Sequence, residues 1–321
     1  MPPLADLLVV DLSRYLPGAF AARELRRLGA QVVRLEPPEG DPMRETAPSW
    51  HDALNAGSES VACDLKAESE LGRALCSRAD VVLESFRPGV AARLGVGPGD
   101  LPETVVYCSI TGFGADGPHA LRAGHDLNYL GWAGVLEDTA PGLPPVQVAD
   151  LAAGALGAVT EILAALLERG RTGRGRHVVV SMTHGSHRLA AHRLGGDPLP
   201  RLLTGGLASY RIYATEDGRR LTVGALEPKF FRRLCELIDK PELAQRQYDP
   251  EAQTQLEAEL AAVFATRPLT DWLARFDGED VCVGPVATLE EGAAEFGGEA
   301  PGVSAPALGE QTEEWRRRLG L

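Results

Sequence analysis

Three side chains in this sequence have the types and spacing to move a proton on and off carbon. His125 and Asp126 stand side by side after a run of small, turn-forming residues, and Asp150 follows one loop later, at the mouth of a segment rich in Ala and Leu. An imidazole and a carboxylate meeting over one substrate atom form an acid/base pair. Each group also has a plainer use. A His-Asp dipeptide is common in capped loops, and Asp150 suits a helix N-cap, where a side-chain oxygen accepts from free backbone N–H groups. If Asp150 also lines a cavity, the positive end of the helix dipole favours its charged form.

The other motifs are weaker. Gly112-Phe113-Gly114-Ala115-Asp116-Gly117 fits G-x-G-x-x-G after an apolar run, but Pro118-His119 follows where a dinucleotide fingerprint needs a helix. A tight turn is expected there. His184, His187 and His192 have no Cys or carboxylate at ligand spacing beside them, so no metal site is expected. Ser186 lies in no nucleophile elbow, and the cysteines show no Cys-His signature, which leaves hydrolase chemistry unsupported.

The elements that must position these residues read as α/β. Short apolar runs at Leu7–Leu12, Gln31–Leu35, Val81–Glu84, Val105–Ile110 and His177–Val180 read as buried strands, with helical segments between several of them. Pro17-Gly18 opens one helix, Glu68 to Ser77 forms another, and a long one runs from about Asp150 to Glu168. Strands alternating with helices imply a parallel, Rossmann-like sheet in a large domain over residues 1–194. Gly, Pro and Arg dominate residues 195–206, the expected linker. Residues 207–282 read as a smaller α+β domain. It opens on a hairpin turning at Glu216-Asp217-Gly218, and helices follow near Pro228, Gln253 and Leu269. From Val283 the chain is expected to return to the large domain (residues 283–321), loosely ordered between Glu291 and Glu310.

A chain of 321 residues suits two domains. No apolar run approaches the ~20 residues of a membrane span. The start lacks a basic, apolar leader, and the five cysteines are scattered and odd in number, so reduced thiols and a cytoplasmic location are expected. A net charge of −13 argues against nucleic acid and acidic membranes as partners. An anionic ligand therefore needs a local cluster of cations.

GHDLNYLGWAGVL and PPVQVADLAAGALGAVTEILAALLERGRTGRGRHVVVSM resemble the family III CoA-transferases, the CaiB/BaiF-like superfamily, and specifically their α-methylacyl-CoA racemase branch. The resemblance extends through VVDLSRYLPGAFAARELRRLGAQVVRLEPPEGDPMR, ADVVLESFRPGVAARLGVGP, VVYCSITGFGADGP and GGLASYRIYATEDGRRLTVGALEPKFF. It implies that His125 and Asp150 are the two acid/base residues, and that Glu227 pairs with the His to fix its tautomer. Glu227 could equally begin the helix at Pro228. The resemblance also implies CoA-binding positions in the large domain: Cys63, Asp64, Leu65, Lys66, Ser85, Phe86, Arg87, Arg93 and the loop Gly124, Asp126, Leu127, Asn128, Tyr129. Lys66, Arg87 and Arg93 are the expected phosphate cations.

By the same resemblance the expected assembly is a homodimer of two threaded rings, in which Glu227 of one subunit acts at the cleft of the other. The expected reaction, in lipid metabolism, is a 1,1-proton transfer at the α-carbon of a 2-methylacyl-CoA thioester. Its only cofactor-like group is the CoA moiety of the substrate, and backbone N–H groups at the helix opening by Asp150 are expected to hold the enolate oxygen. One alternative is a CoA-transferase using Asp150 as nucleophile, as in family members that usually lack the His. Another is a divergent CoA-ligand-binding paralogue with little activity. Two departures bear on CoA. Pro37 stands where similar racemases carry an Arg, and the segment before Val61, often basic, contains Ser58 and Glu59.

Overall fold

The computed structural model describes residues 1–196, 198, 201–297 and 304–321. Leu199 and Pro200 of the expected linker, with Asp197, and residues 298–303 of the expected loose tail lie outside the described residues. The chain divides into two compact units, Met1–His192 with Glu299–Leu321, and Arg193–Gly298.

The first unit is built on a six-stranded parallel sheet of order β3-β2-β1-β4-β5-β6, with β1 (Leu8–Asp11), β2 (Gln31–Glu36), β3 (Glu59–Ala62), β4 (Val81–Glu84), β5 (Val106–Thr111) and β6 (His177–Ser181). Apolar side chains are buried on both of its faces, as a sheet covered on both sides requires. On one face Val9, Val32, Leu83 and Ile110 pack with Leu25 of the helix Tyr15–Arg27 and Ile162 of the helix Gly157–Thr172. On the other, Val10, Val33, Val61 and Val82 pack with Leu71 and Leu75 of the helix Ser69–Arg78 and with Trp315.

Strand β3 was not expected from sequence, because Glu59-Ser60-Val61-Ala62 has too few apolar residues to stand out. It pairs in parallel with β2, and the chain's last segment covers its outer side. Ser60 N–H donates to Gln311 Oε1 at 2.8 Å, Ala62 N–H to Thr312 Oγ1 at 2.9 Å, and the Trp315 indole to Glu59 Oε2 at 2.6 Å. An exposed row of unpaired strand groups is thereby closed.

The long helix differs from expectation in two ways. It begins as a π-helical stretch, Ala149–Leu156, before continuing as the α-helix Gly157–Thr172. Together these make a 24-residue helix long and apolar enough to cross a membrane by length and composition, which no unbroken apolar run in the sequence announces. Glu161 and Glu168 interrupt its apolar pattern, while Ala155, Ala158, Ile162 and Ala165 are in the core beneath the sheet.

In the second unit β7 (Tyr210–Ala214), β8 (Arg220–Gly224) and β9 (Val283–Pro285) form an antiparallel sheet. Its core includes Leu221, Phe231, Leu260 and Trp272. The return to the first unit therefore starts later than Val283: residues 283–285 hydrogen-bond to β8 as the sheet's third strand. The segment after it is ordered as the helix Leu289–Phe296, whose Thr288/Glu291 capping box supplies a firm start.

At the carboxyl end of β2 a buried guanidinium ties two turns together. Arg34, 1% exposed, donates to Asp41 Oδ2 at 2.8 Å, to Asn55 Oδ1 at 2.5 Å and to the Ser13 carbonyl at 3.1 Å, with Asp11 Oδ2 at 3.8 Å. Burial raises the Asp11 pKa against the pull of Arg34. Beside this group, burial would raise Glu36, but hydrogen bonds from Arg44 and Ser60 and the nearby Arg34 charge outweigh it and hold the carboxyl at about 2. Removing one partner of such a set leaves uncompensated buried charge. Arg34→Met is expected to lower unfolding stability by roughly 3–5 kcal/mol, measured by urea denaturation at neutral pH.

Candidate active site

Every strand of the large sheet ends near a cleft, and two clefts meet at the switch point of the strand order, between β1 and β4. Ligands of open α/β sheets bind at that point, outside the carboxyl ends of the strands. Arg14, after β1, and Phe86, after β4, line both clefts. The first, of ≈ 460 Å³, lies over β2 and β3 and is bordered by Pro37, Cys63, Asp64, Leu65 and Lys66. The second, of ≈ 400 Å³, lies over β4, β5 and β6. Here His125 and Asp150 line one space, together with Tyr15, Arg87, Gly112 and Arg122. Both volumes are within the usual range of ligand pockets.

His125 immediately precedes the helix Asp126–Trp132. Its N–H donates to Asn128 Oδ1 at 3.0 Å, and its carbonyl accepts from Asn128 N–H at 2.8 Å, so the backbone at this position is fixed from both sides. Tyr129 anchors the same loop. Its hydroxyl donates to the Gly124 carbonyl at 2.5 Å, and its ring is packed between two glycines. A Cβ added to Gly112 or Gly124 would stand 2.5 or 2.8 Å from Tyr129 Cε1, so neither position has room for a side chain. Burial pushes the Tyr129 phenol up to about 12, with the Asp150 and Asp126 charges adding to it.

Asp150 is the second residue of the π-helical stretch and does not cap it; the N-cap position is Val148. Close packing sets its place. A Cβ on Gly154 would lie 2.9 Å from Met182 Cγ, and one on Gly185 2.8 Å from Ala153 Cβ, so only small residues let this stretch approach the helix Met182–Ala190. Asp150 N–H donates to Asp126 Oδ1 at 3.0 Å and Leu151 N–H to the Gln147 carbonyl at 2.8 Å. Those two N–H groups are occupied, which corrects the expectation that the helix opening offers them to an enolate oxygen. Burial, then the neighbouring Asp126 charge, pushes the Asp150 carboxyl up to about 7. Wide-turn helical segments of this kind are frequent at functional sites.

Residues 4–303 match the family model of CoA-transferase family III. The chain belongs to that family. It is 35% identical over 309 residues to α-methylacyl-CoA racemase of Homo sapiens, covering 90% of this chain and 78% of the relative. It is 30% identical to succinyl-CoA:glutarate CoA-transferase of Mus musculus, covering 91% of this chain and 73% of the relative. The crystal structure of a CAIB/BAIF family protein from Brucella suis superposes with a TM-score of 0.85 at 28% identity, covering 99% of both chains.

Within this family III chain the sequence-derived binding positions fall into three groups. Cys63, Asp64, Leu65, Lys66 and Phe86 border the first cleft. Ser85, Phe86, Arg87, Gly124 and Tyr129 border the second. Arg93, Asp126, Leu127 and Asn128 line neither. Arg93 is exposed at the end of the short helix Val90–Arg93, and Leu127 is exposed on its helix. Asp126 and Asn128 serve as acceptors for Asp150 and His125. Burial raises the Cys63 thiol to about 11, so it is a packing group there. Glu227 is exposed in the second unit, at the N-cap of the helix Pro228–Leu237. Ser58 and Glu59 line neither cleft, and Glu59 is taken up by Gln31 and Trp315.

The G-x-G-x-x-G run ends in turns, with Gly114 at φ +100° and Gly117 at φ +85°, and opens no helix. His184 Nδ1 is 2.9 Å from Ser181 Oγ, three residues back, and His187 Nδ1 is 3.1 Å from the carbonyl of Ala133, which follows the helix Asp126–Trp132. Sequence reasoning missed Arg14, Tyr15, Gly112 and Arg122. Arg14 and Tyr15 could have been found by their place in the turn after a central strand, and Arg122 by its place just before the His-Asp pair.

The raised Asp150 has a direct thermodynamic consequence. An acid whose pKa is higher folded than unfolded binds more protons in the folded state, so folding weakens as pH rises between the two values. Here that window runs from the ordinary 3.8 to about 7. Asp150→Asn is therefore expected to melt above the wild type at pH 8, with the gain shrinking toward pH 4, measured by thermal unfolding across that range.

Proposed function

We propose that this family III enzyme is an acyl-CoA racemase or epimerase acting on a 2-methylacyl-CoA. The observation that carries the reading is that His125 and Asp150 line one ≈ 400 Å³ cleft, with Asp150 held at about 7. A carboxyl titrating near neutrality is suited to giving as well as taking a proton. In the proposed reaction one of the two groups removes the α-proton, and the electron pair of the broken Cα–H bond passes into the thioester carbonyl to give an enolate. The other returns a proton to the opposite face. The greater identity to the racemase relative supports the same choice. Lys66 and Arg87 border the clefts without an ion-pair partner among the described residues and suit the CoA phosphates. Arg93 is proposed for the outer end of the same ligand. No group beyond the CoA of the substrate is required.

The second reading is a CoA-transferase in which Asp150 attacks the thioester, a role its basicity also favours. We further propose the threaded homodimer, with Glu227 supplied by the second copy as the carboxylate that orients His125. Exposed Val179 on the edge strand β6 and exposed Leu156 and Leu167 on the long helix suit a covered surface.

Incubation with a 2-methylacyl-CoA in D₂O tests the function. Deuterium is expected at the α-carbon without any acceptor acid, with His125→Ala and Asp150→Ala each slowing incorporation by about 10²–10⁴-fold. Exchange that requires an acceptor acid, with hydroxylamine trapping an acyl group on Asp150, would establish the transferase instead. Binding with no exchange would mark a ligand-binding paralogue.

A further inference from the structure

Three successive backbone N–H groups in the turn after β1 are each held by a side chain. Ser13 N–H donates to Asp11 Oδ1 at 2.8 Å, Arg14 N–H to Ser85 Oγ at 3.1 Å, and Tyr15 N–H to Asp41 Oδ2 at 3.2 Å. The Asp41 oxygen that takes the Tyr15 N–H also takes Arg34, and Arg34 reaches back to the Ser13 carbonyl. Ser13 is pressed against the opening of the next helix, where a Cβ on Gly18 would fall 1.8 Å from its Oγ.

What this scaffold enforces is Tyr15 at φ +66°, in the left-handed region that glycine adopts freely and bulky residues avoid. The tyrosine does not fill the core, since it is 47% exposed. Its hydroxyl makes no hydrogen bond among the described residues. The helix it opens has no side-chain cap that uses it. Its ring does stand edge-on to the His125 imidazole, centroids 6.3 Å apart and planes at 88°, and both side chains line the same cleft. That is a favourable aromatic geometry. A strained backbone that surrounding groups over-determine, carrying an exposed ring beside a candidate proton-transfer group, points to a role in the site.

We propose that Tyr15 is a positioning residue, held left-handed by the Asp41–Arg34 pair so that its ring sets the orientation of the His125 imidazole and walls the space where the acyl group lies. The proposal rests on reading His125 as an acid/base residue. Two substitutions separate its parts: Tyr15→Gly relaxes the backbone and removes the ring, whereas Tyr15→Phe keeps the ring.

The test combines three measurements on the full chain: thermal unfolding, the three-bond couplings that report the His125 χ1 angle in ¹³C,¹⁵N-histidine-labelled protein (assigned by the signals lost in His125→Gln), and kcat and KM for deuterium incorporation. Tyr15→Gly is expected to melt no lower than the wild type, to move the His125 couplings from one rotamer's values toward a rotamer average, and to lose kcat by about 10–100-fold with a smaller change in KM. Tyr15→Phe is expected to restore all three. Unchanged His125 couplings in Tyr15→Gly, or a fall in melting temperature that accounts for the lost activity, would overturn the proposal. Should the wild type incorporate no deuterium, the racemase reading fails on its own, and the couplings still decide whether Tyr15 positions His125.

Discussion

A guanidinium removed from water must be matched by acceptors on every side, and Arg34 is the largest side chain so fully buried among the described residues. Its fork takes a carboxylate from the turn after β2, an amide from the helix Pro48–Asn55 and a carbonyl from the turn after β1. Those acceptors are distant in sequence, so the pairing fixes how the turns following two neighbouring strands lie against each other. Arg14 and Tyr15 lie in one of those turns. The walls of both clefts near the switch point therefore depend on a charge that touches neither.

The proton-transfer side of the site rests on a different kind of constraint, close approach rather than charge. Glycine and alanine along the π-helical stretch let it sit against Met182 and Gly185. That places Asp150 where burial and Asp126 raise its pKa to about 7. Tyr129, wedged between Gly112 and Gly124, fixes the other side of the loop that carries His125. Asp126 has two roles in this arrangement. It accepts the Asp150 N–H, and its charge helps keep the Asp150 carboxyl protonated near neutrality.

Much of the large sheet was legible because parallel strands covered on both faces read as apolar runs, as Val9-Val10 and Val81-Val82-Leu83 do. Strand β3 was not, since its place is set by backbone pairing and by a helix more than two hundred residues away. The helix around Asp150 was visible in composition, but Ala and Gly serve α and π turns equally, so the wider turn left no mark. Asp126 and Asn128 are CoA-binding positions only by resemblance; what no pattern announced is that Asp126 Oδ1 accepts the Asp150 N–H and Asn128 Oδ1 the His125 N–H. The backbone strain at Tyr15 was invisible for a more basic reason: a positive φ is imposed by neighbours and is written in no residue type except glycine. The small unit's third strand was missed because Val283-Gly284-Pro285 is too short to announce itself.

The C-terminal cover on β3 also bears on how the molecule is made. Ser60 binds a residue 251 positions further along, Gln311. The ribosome has to synthesise the whole second unit before that partner emerges. Until then the nascent sheet carries a bare flank, and Trp315, which completes one face of its core, has not yet been translated. Emergence of residues 311–315, rather than of the amino-terminal half, is thus the moment at which the first unit can close.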